Sequence, residues 1–98
     1  MIDRVLEYVR DPTLGELVSV KLVRVVEKRG VDLTLFNNKK CLVCSGDYKR
    51  GEFVIVLCVH AVYEYPGNIP ESSYFIGCDW LFWVHKKCLR ELKFEKFK

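Results

Sequence analysis

Apolar residues in the first third of the chain are spaced as on a helix. Leu14, Leu17, Val18, Leu22 and Val25 recur at intervals of three and four with Lys21 and Arg29 in the same register, and Val20, Val23 and Val26 widen the apolar side. Asp11 followed by Pro12 predicts a capped start, and Gly30 after Lys28 and Arg29 predicts the stop. Together they predict a helix over residues 12–29 that must be covered nearly all round. A strand is the competing reading, because Val18, Val20 and Leu22 also alternate with Ser19 and Lys21 and β-branched residues favour sheets. Ile2 to Arg10 reads as a short helix.

Beyond this segment the period changes. Val31 to Phe36 alternates at period two and suits a short strand, and Phe53 to Tyr63 is a longer β-rich run. The turn formers Ser45-Gly46-Asp47 and Lys49-Arg50-Gly51 lead into that run, and Tyr65-Pro66-Gly67-Asn68-Ile69-Pro70 breaks it. Ser73 to Cys78 returns as a paired strand. The last element, about Phe82 to Lys96, reads as a helix.

With 98 residues the chain is expected to form a single domain, residues 1–98, small enough that a covalent or metal staple would help it. Half of the residues are hydrophobic, so no part reads as disordered. No apolar run approaches the roughly 18 residues that cross a bilayer, and Met1-Ile2-Asp3-Arg4 opens without a signal-peptide core. The expectation is a soluble intracellular protein of cytoplasm or nucleus, with no membrane association. Five cysteines cannot all pair in disulfides, which favours metal binding. The net charge is +3, and all of the excess lies after residue 38: the first 38 residues carry six basic and six acidic side chains, the remainder ten and seven.

Chemistry also begins after Asn37-Asn38-Lys39-Lys40, since nothing before it is Cys or His. Cys41-Leu42-Val43-Cys44 is a C-x2-C pair, and His85-Lys86-Lys87-Cys88 is an H-x2-C pair after a gap of 40 residues. Zinc takes four such ligands in a tetrahedron, and two intervening residues let both members of a pair reach one ion. Cys41, Cys44, His85 and Cys88 are therefore the expected metal ligands, holding one structural Zn²⁺. On a C-terminal helix, His85, Cys88, Leu89 and Leu92 would share one face while Lys86, Lys87, Arg90 and Lys93 faced water.

The run Cys41-x2-Cys44, then Lys49-Arg50-Gly51-Glu52, then Trp83-Val84-His85-Lys86-Lys87-Cys88-Leu89 resembles the treble-clef zinc fingers, and most the DNA-break-sensing Cys3His fingers of poly(ADP-ribose) polymerases. It spans about residues 38–95. The resemblance implies a treble-clef-like region at 37–98, with zinc knuckle, antiparallel β-hairpin or small sheet and C-terminal helix; it leaves unexplained the N-terminal helical segment at 1–36 read from apolar spacing, and the two together make an α+β fold.

It also implies nucleic-acid binding, here of DNA, and the cations Lys39, Lys40, Lys49, Arg50, Lys86, Lys87, Arg90 and Lys93 of this sequence are the expected basic face of such a non-catalytic module. Tyr63, Tyr65, Trp80 and Trp83 lie near those cations in sequence, and an exposed aromatic would stack on a base. A protein partner or homodimer, contacted through the Val-rich helix, is the alternative. A complete tetrad leaves no position for a catalytic water, and the deaminase, P-loop, dinucleotide and nucleophile-elbow motifs are missing, so neither catalysis nor a small-molecule substrate is expected. Cys58, His60 and Cys78 are left over. They are too few for a second closed site unless Asp79 completes a cross-braced one, and Cys58 and Cys78 could instead pair as a disulfide or stay as buried thiols.

Overall fold

The computed structural model describes residues 2–67 and 72–91. Its elements are helix α1 (Ile2–Val9), a 3-10 turn (Pro12–Leu14), strand β1 (Glu16–Arg29), a second 3-10 turn (Leu33–Leu35), strands β2 (Phe53–Pro66) and β3 (Ser73–His85), and a 3-10 helix (Lys86–Glu91). The strands form one antiparallel sheet in the order β1-β2-β3.

The short helix at the N-terminus is present; the helix expected over 12–29 is not. Asp11 does cap, with its Oδ1 accepting from Thr13 N at 3.0 Å and Thr13 Oγ1 at 2.7 Å, but it closes only a single 3-10 turn. Gly15 then turns the chain at φ 107°, so close to β2 that a Cβ there would stand 2.5 Å from the Glu64 carbonyl oxygen. From Glu16 the chain runs as a 14-residue strand. Its pairing with β2 skips Val18 and Val23, which bulge out of the ladder. Each bulge advances the alternation by one residue, so Leu17, Val20, Leu22 and Val25 all stand opposite the inner-face residues of β2, at spacings of three, two and three. Twice-bulged β structure thus carries a spacing close to that of a helix.

The strand expected at 31–36 is likewise a 3-10 turn. Asp32 Oδ1 accepts from Thr34 N at 3.0 Å and Thr34 Oγ1 at 2.7 Å, repeating the arrangement at Asp11, so the sequence Asp-x-Thr-Leu bounds β1 at both ends. The C-terminal helix expected over 82–96 is replaced through His85 by strand, since Phe82, Trp83, Val84 and His85 pair with Leu57, Val56, Ile55 and Val54. Only a 3-10 helix comes after it, and residues 92–96 of that expectation lie outside the described residues. The fold is thus a three-stranded antiparallel meander with one short helix, not a treble clef behind a helical segment.

Two layers cover the sheet. On the inner face Leu57, Val59, Ala61, Tyr63 and Phe82 are fully buried beneath α1, whose Val5 and Val9 are also fully buried. Tyr8 meets Phe82 edge-on, with ring centroids 5.3 Å apart. Tyr63 ties the helix end to the sheet by donating its hydroxyl to the Val9 carbonyl while accepting from Trp80 Nε1 at 3.1 Å, and its burial pushes the phenol pKa up. On the outer face, residues 30–52 wrap back over Val54, Val56 and Trp83.

That wrap closes the open side of β3. Asn37 exchanges two hydrogen bonds with the Leu81 backbone, donating its N–H to the carbonyl at 2.8 Å and accepting from Leu81 N at its Oδ1 at 2.9 Å. Asn38, fully buried, does the same for Trp83 with its side chain: Oδ1 accepts from Trp83 N at 3.0 Å and Nδ2 donates to Trp83 O at 2.8 Å. Its Nδ2 also donates to Lys40 O at 2.8 Å, and its carbonyl accepts the Trp83 indole N–H at 3.1 Å. Asn38→Ala strands the Trp83 backbone N–H in a dry interior, so it should lower stability by about 3 kcal/mol in denaturant unfolding. Asn37→Ala, at an exposed position, should cost about 1 kcal/mol or less.

Candidate metal centre

Once Asn38 has fixed the chain against β3, the next residues form a knuckle at the same edge. Leu42 N donates to Trp83 O at 3.3 Å, Ser45 N to Cys41 O at 2.9 Å and Cys41 N to Gly46 O at 2.9 Å. Ser45 takes the left-handed turn at φ 61°, a conformation disfavoured for residues with a Cβ, and its hydroxyl accepts from Arg4 Nη1 of α1 at 2.8 Å. The knuckle therefore touches the helix as well as the sheet. His85 ends β3 beside it, and Cys88 stands in the 3-10 helix directly after.

Cys41, Cys44, His85 and Cys88 converge as their spacing predicts: one ligand atom from each lies within 4.8 Å of all the others, and the four are placed to hold a metal ion. Cys41, His85 and Cys88 are buried and Cys44 faces solvent. The second pair does not use the helical turn expected of it, because a strand end followed by a 3-10 turn also brings positions three apart to one point.

Hydrogen bonds around the cluster prepare the ligands. His85 presents Nδ1 to Cys44 Sγ at 3.2 Å, while its Nε2 lies 3.0 Å from the Asp47 carbonyl and 3.5 Å from Glu52 Oε1. A carbonyl accepts only, so Nε2 carries the proton and the Nδ1 lone pair faces the thiols. Glu52 is itself fixed by Lys49 N at 2.7 Å. Backbone N–H groups point at two sulfurs, Gly46 N to Cys44 Sγ at 3.4 Å and His85 N to Cys41 Sγ at 3.3 Å. Gly46 sits so close that a Cβ would meet Cys44 Sγ and His85 Cε1, each at 3.2 Å. Glu52, Asp47 and Gly46 are site residues that ligand spacing alone does not reveal; the turn formers before β2 were their only signal.

The thiols differ in acidity when no metal is bound. The Gly46 N–H holds the Cys44 thiol down to about 7, against an ordinary value of 9.0. Burial, reinforced by the neighbouring Cys41, pushes Cys88 up to about 12. Cys44 thiolate thus favours the folded metal-free chain fully above its ordinary value and loses that effect as pH falls through about 7. Cys88 contributes oppositely: its thiol favours the fold below 9.0, and the effect is lost as pH rises through about 12.

The other candidates disperse. Lys39 Nζ turns back to the carbonyls of Leu33 and Phe36, at 3.1 and 3.4 Å. Lys40 pairs with Asp47 at 2.8 Å. Lys86 pairs with Glu27 at 2.9 Å and lies 5.9 Å from the centre of the Phe53 ring. Lys49, Arg50 and Lys87 are exposed. Arg90 belongs to the 3-10 helix, and Lys93 lies outside the described residues. Trp80 and Trp83 are bound into the sheet by their indole N–H groups.

Cys58 and Cys78 are free thiols on opposite faces, Cys58 in register with Leu81 and Cys78 with Ala61, so alternation forbids the disulfide. Neither belongs to a second ligand cluster among the described residues. His60 bonds Asp79 at 2.8 Å instead of a metal.

Searches against protein families, curated proteins and solved structures find no match for this chain. The likeness to poly(ADP-ribose) polymerase fingers thus stops at the ligand pattern. Among the described residues no helix is long and apolar enough to cross a membrane.

Two outcomes check the centre. In the metal-free protein at pH 7.5, iodoacetamide should modify Cys44 well before Cys88, at a rate that rises with pH through about 7; bound metal should suppress it, as read by peptide mass spectrometry. Glu52→Gln, which weakens the hold on His85 Nε2, should lower metal affinity by roughly tenfold in a chelator competition.

Proposed function

We propose that this chain is a non-catalytic binding module stapled by one structural zinc ion, and that its partner is nucleic acid. The zinc reading rests on the donor set: three thiols and one imidazole nitrogen within 4.8 Å match the tetrahedral sites that zinc occupies, whereas magnesium and calcium take oxygen. Four protein ligands would complete such a tetrahedron and leave no position for a reacting water. The energetic role comes from scale. Structural zinc binding is worth roughly 10–16 kcal/mol, as large as the roughly 5–15 kcal/mol by which whole domains are stable.

Cations beside the centre support the nucleic-acid reading. Lys49 and Arg50 lie in the turn that carries Glu52 to His85, and Lys87 lies two residues beyond His85; all three are exposed and none takes part in the ion pairs found. They stand where Lys39, Lys40 and Lys86 do not, since those three already serve carbonyls or carboxylates within the fold. Duplex and single-stranded DNA should therefore bind weakly and with steep salt dependence. A triple Lys49→Glu, Arg50→Glu, Lys87→Glu variant of unchanged metal content should lose that binding in fluorescence anisotropy. If no DNA is retained at low salt, the partner is of another kind, and the zinc reading is judged separately by metal analysis of the native protein.

A further inference from the structure

We propose that the groove on the outer face of the sheet binds a small amphiphilic anion, a medium-chain carboxylate, at a site separate from the metal centre. The groove measures about 470 Å³. Its floor is set by strand register: Arg24, Cys58 and Leu81 form one row across the three strands, and Val26, Val56 and Trp83 form the next. Residues 30–36 wall it with Val31, Leu35 and Phe36.

The cations of the groove all come from one side, β1. Arg24 and Lys28 flank Val26 on β1, both exposed, and neither makes an ion pair or side-chain hydrogen bond among the described residues. Arg29 also borders the groove, but its guanidinium lies over the Phe53 ring, 5.1 Å from the centroid. The acid at the border, Asp32, has its Oδ1 engaged by Thr34, and that bonding holds its carboxyl below the usual range. From Val26 the floor runs inward across Val56 and Cys58 to Leu81, two strand spacings or about 10 Å, without another cation. A single anionic head between Arg24 and Lys28 with an apolar tail across β2 matches this division. A nucleic acid or an extended acidic peptide would call for cations along the whole path.

The test uses the full chain with its metal bound and sodium decanoate as the probe. Amide NMR shifts should concentrate at Val26, Val56, Cys58 and Leu81 and spare Gly46, while neutral decanol binds more weakly. Arg24→Glu and Lys28→Glu should each weaken decanoate by at least about tenfold. Leu35→Glu, at a wall position that is 68% exposed and safe for folding, should weaken it as well. Decanoate should also slow maleimide modification of Cys58 without affecting Cys78. Absence of shifts at millimolar decanoate, equal affinity in all three variants, or capture of a glutamate-rich peptide in the groove without decanoate binding would each overturn the proposal.

Discussion

The backbone of Trp83 lies on the open side of an edge strand, where a sheet ordinarily needs another strand. Here a single carboxamide takes that place: Asn38 receives the N–H and supplies a donor to the carbonyl. Because the indole of Trp83 also donates to the Asn38 backbone, the two residues are joined through three bonds in a dry setting, where each is strengthened by low dielectric. Three residues on in one segment comes Cys41, and two residues on in the other comes His85. The pairing therefore brings together ligands separated by a 40-residue gap, through hydrogen bonds that do not involve the ligand atoms.

The centre reports on the fold around it. Its ligands come from a knuckle, a strand end and a 3-10 turn, so an ion there ties the wrap over the outer face to the edge of the sheet and, through the Ser45–Arg4 bond, to α1. Burial of Cys41, His85 and Cys88 keeps water from three of the four ligands, and Cys44 alone of the four faces solvent. The acidities obey the same division: a backbone N–H lowers the pKa of the solvent-facing thiol, and burial raises that of the enclosed one.

The ligand quartet was legible in the sequence because its chemistry depends on residue type and short spacing, and both survive a change of secondary structure. The elements carrying it were not. Bulges at Val18 and Val23 shift the alternation of β1 until Leu17, Val20, Leu22 and Val25 pass for one helical stripe, and the Asp11-Pro12 cap encourages that reading although it serves a turn of three residues. At the other end, positions 85 and 88 were compatible with a helix, but the aromatic and β-branched run before them pairs with β2, and tertiary pairing overrides the local signal. Asn38 left no mark beyond standing in a polar stretch that reads as a boundary; its role depends on a contact 45 residues away. Cys58 and Cys78 illustrate the reverse, since strand parity settles their relation once register is known.

Those same two bulges bear on how the molecule survives at high concentration. β1 is long, rich in valine and lies at the border of its sheet, the combination that ordinarily templates growth by neighbouring chains. Val18 and Val23, 52% and 62% exposed, interrupt its hydrogen-bonding rhythm at two points, so an incoming strand meets no long uniform ladder to extend. Protection against edge-to-edge growth is thus written into the backbone of this border, at the cost of two valines turned towards water.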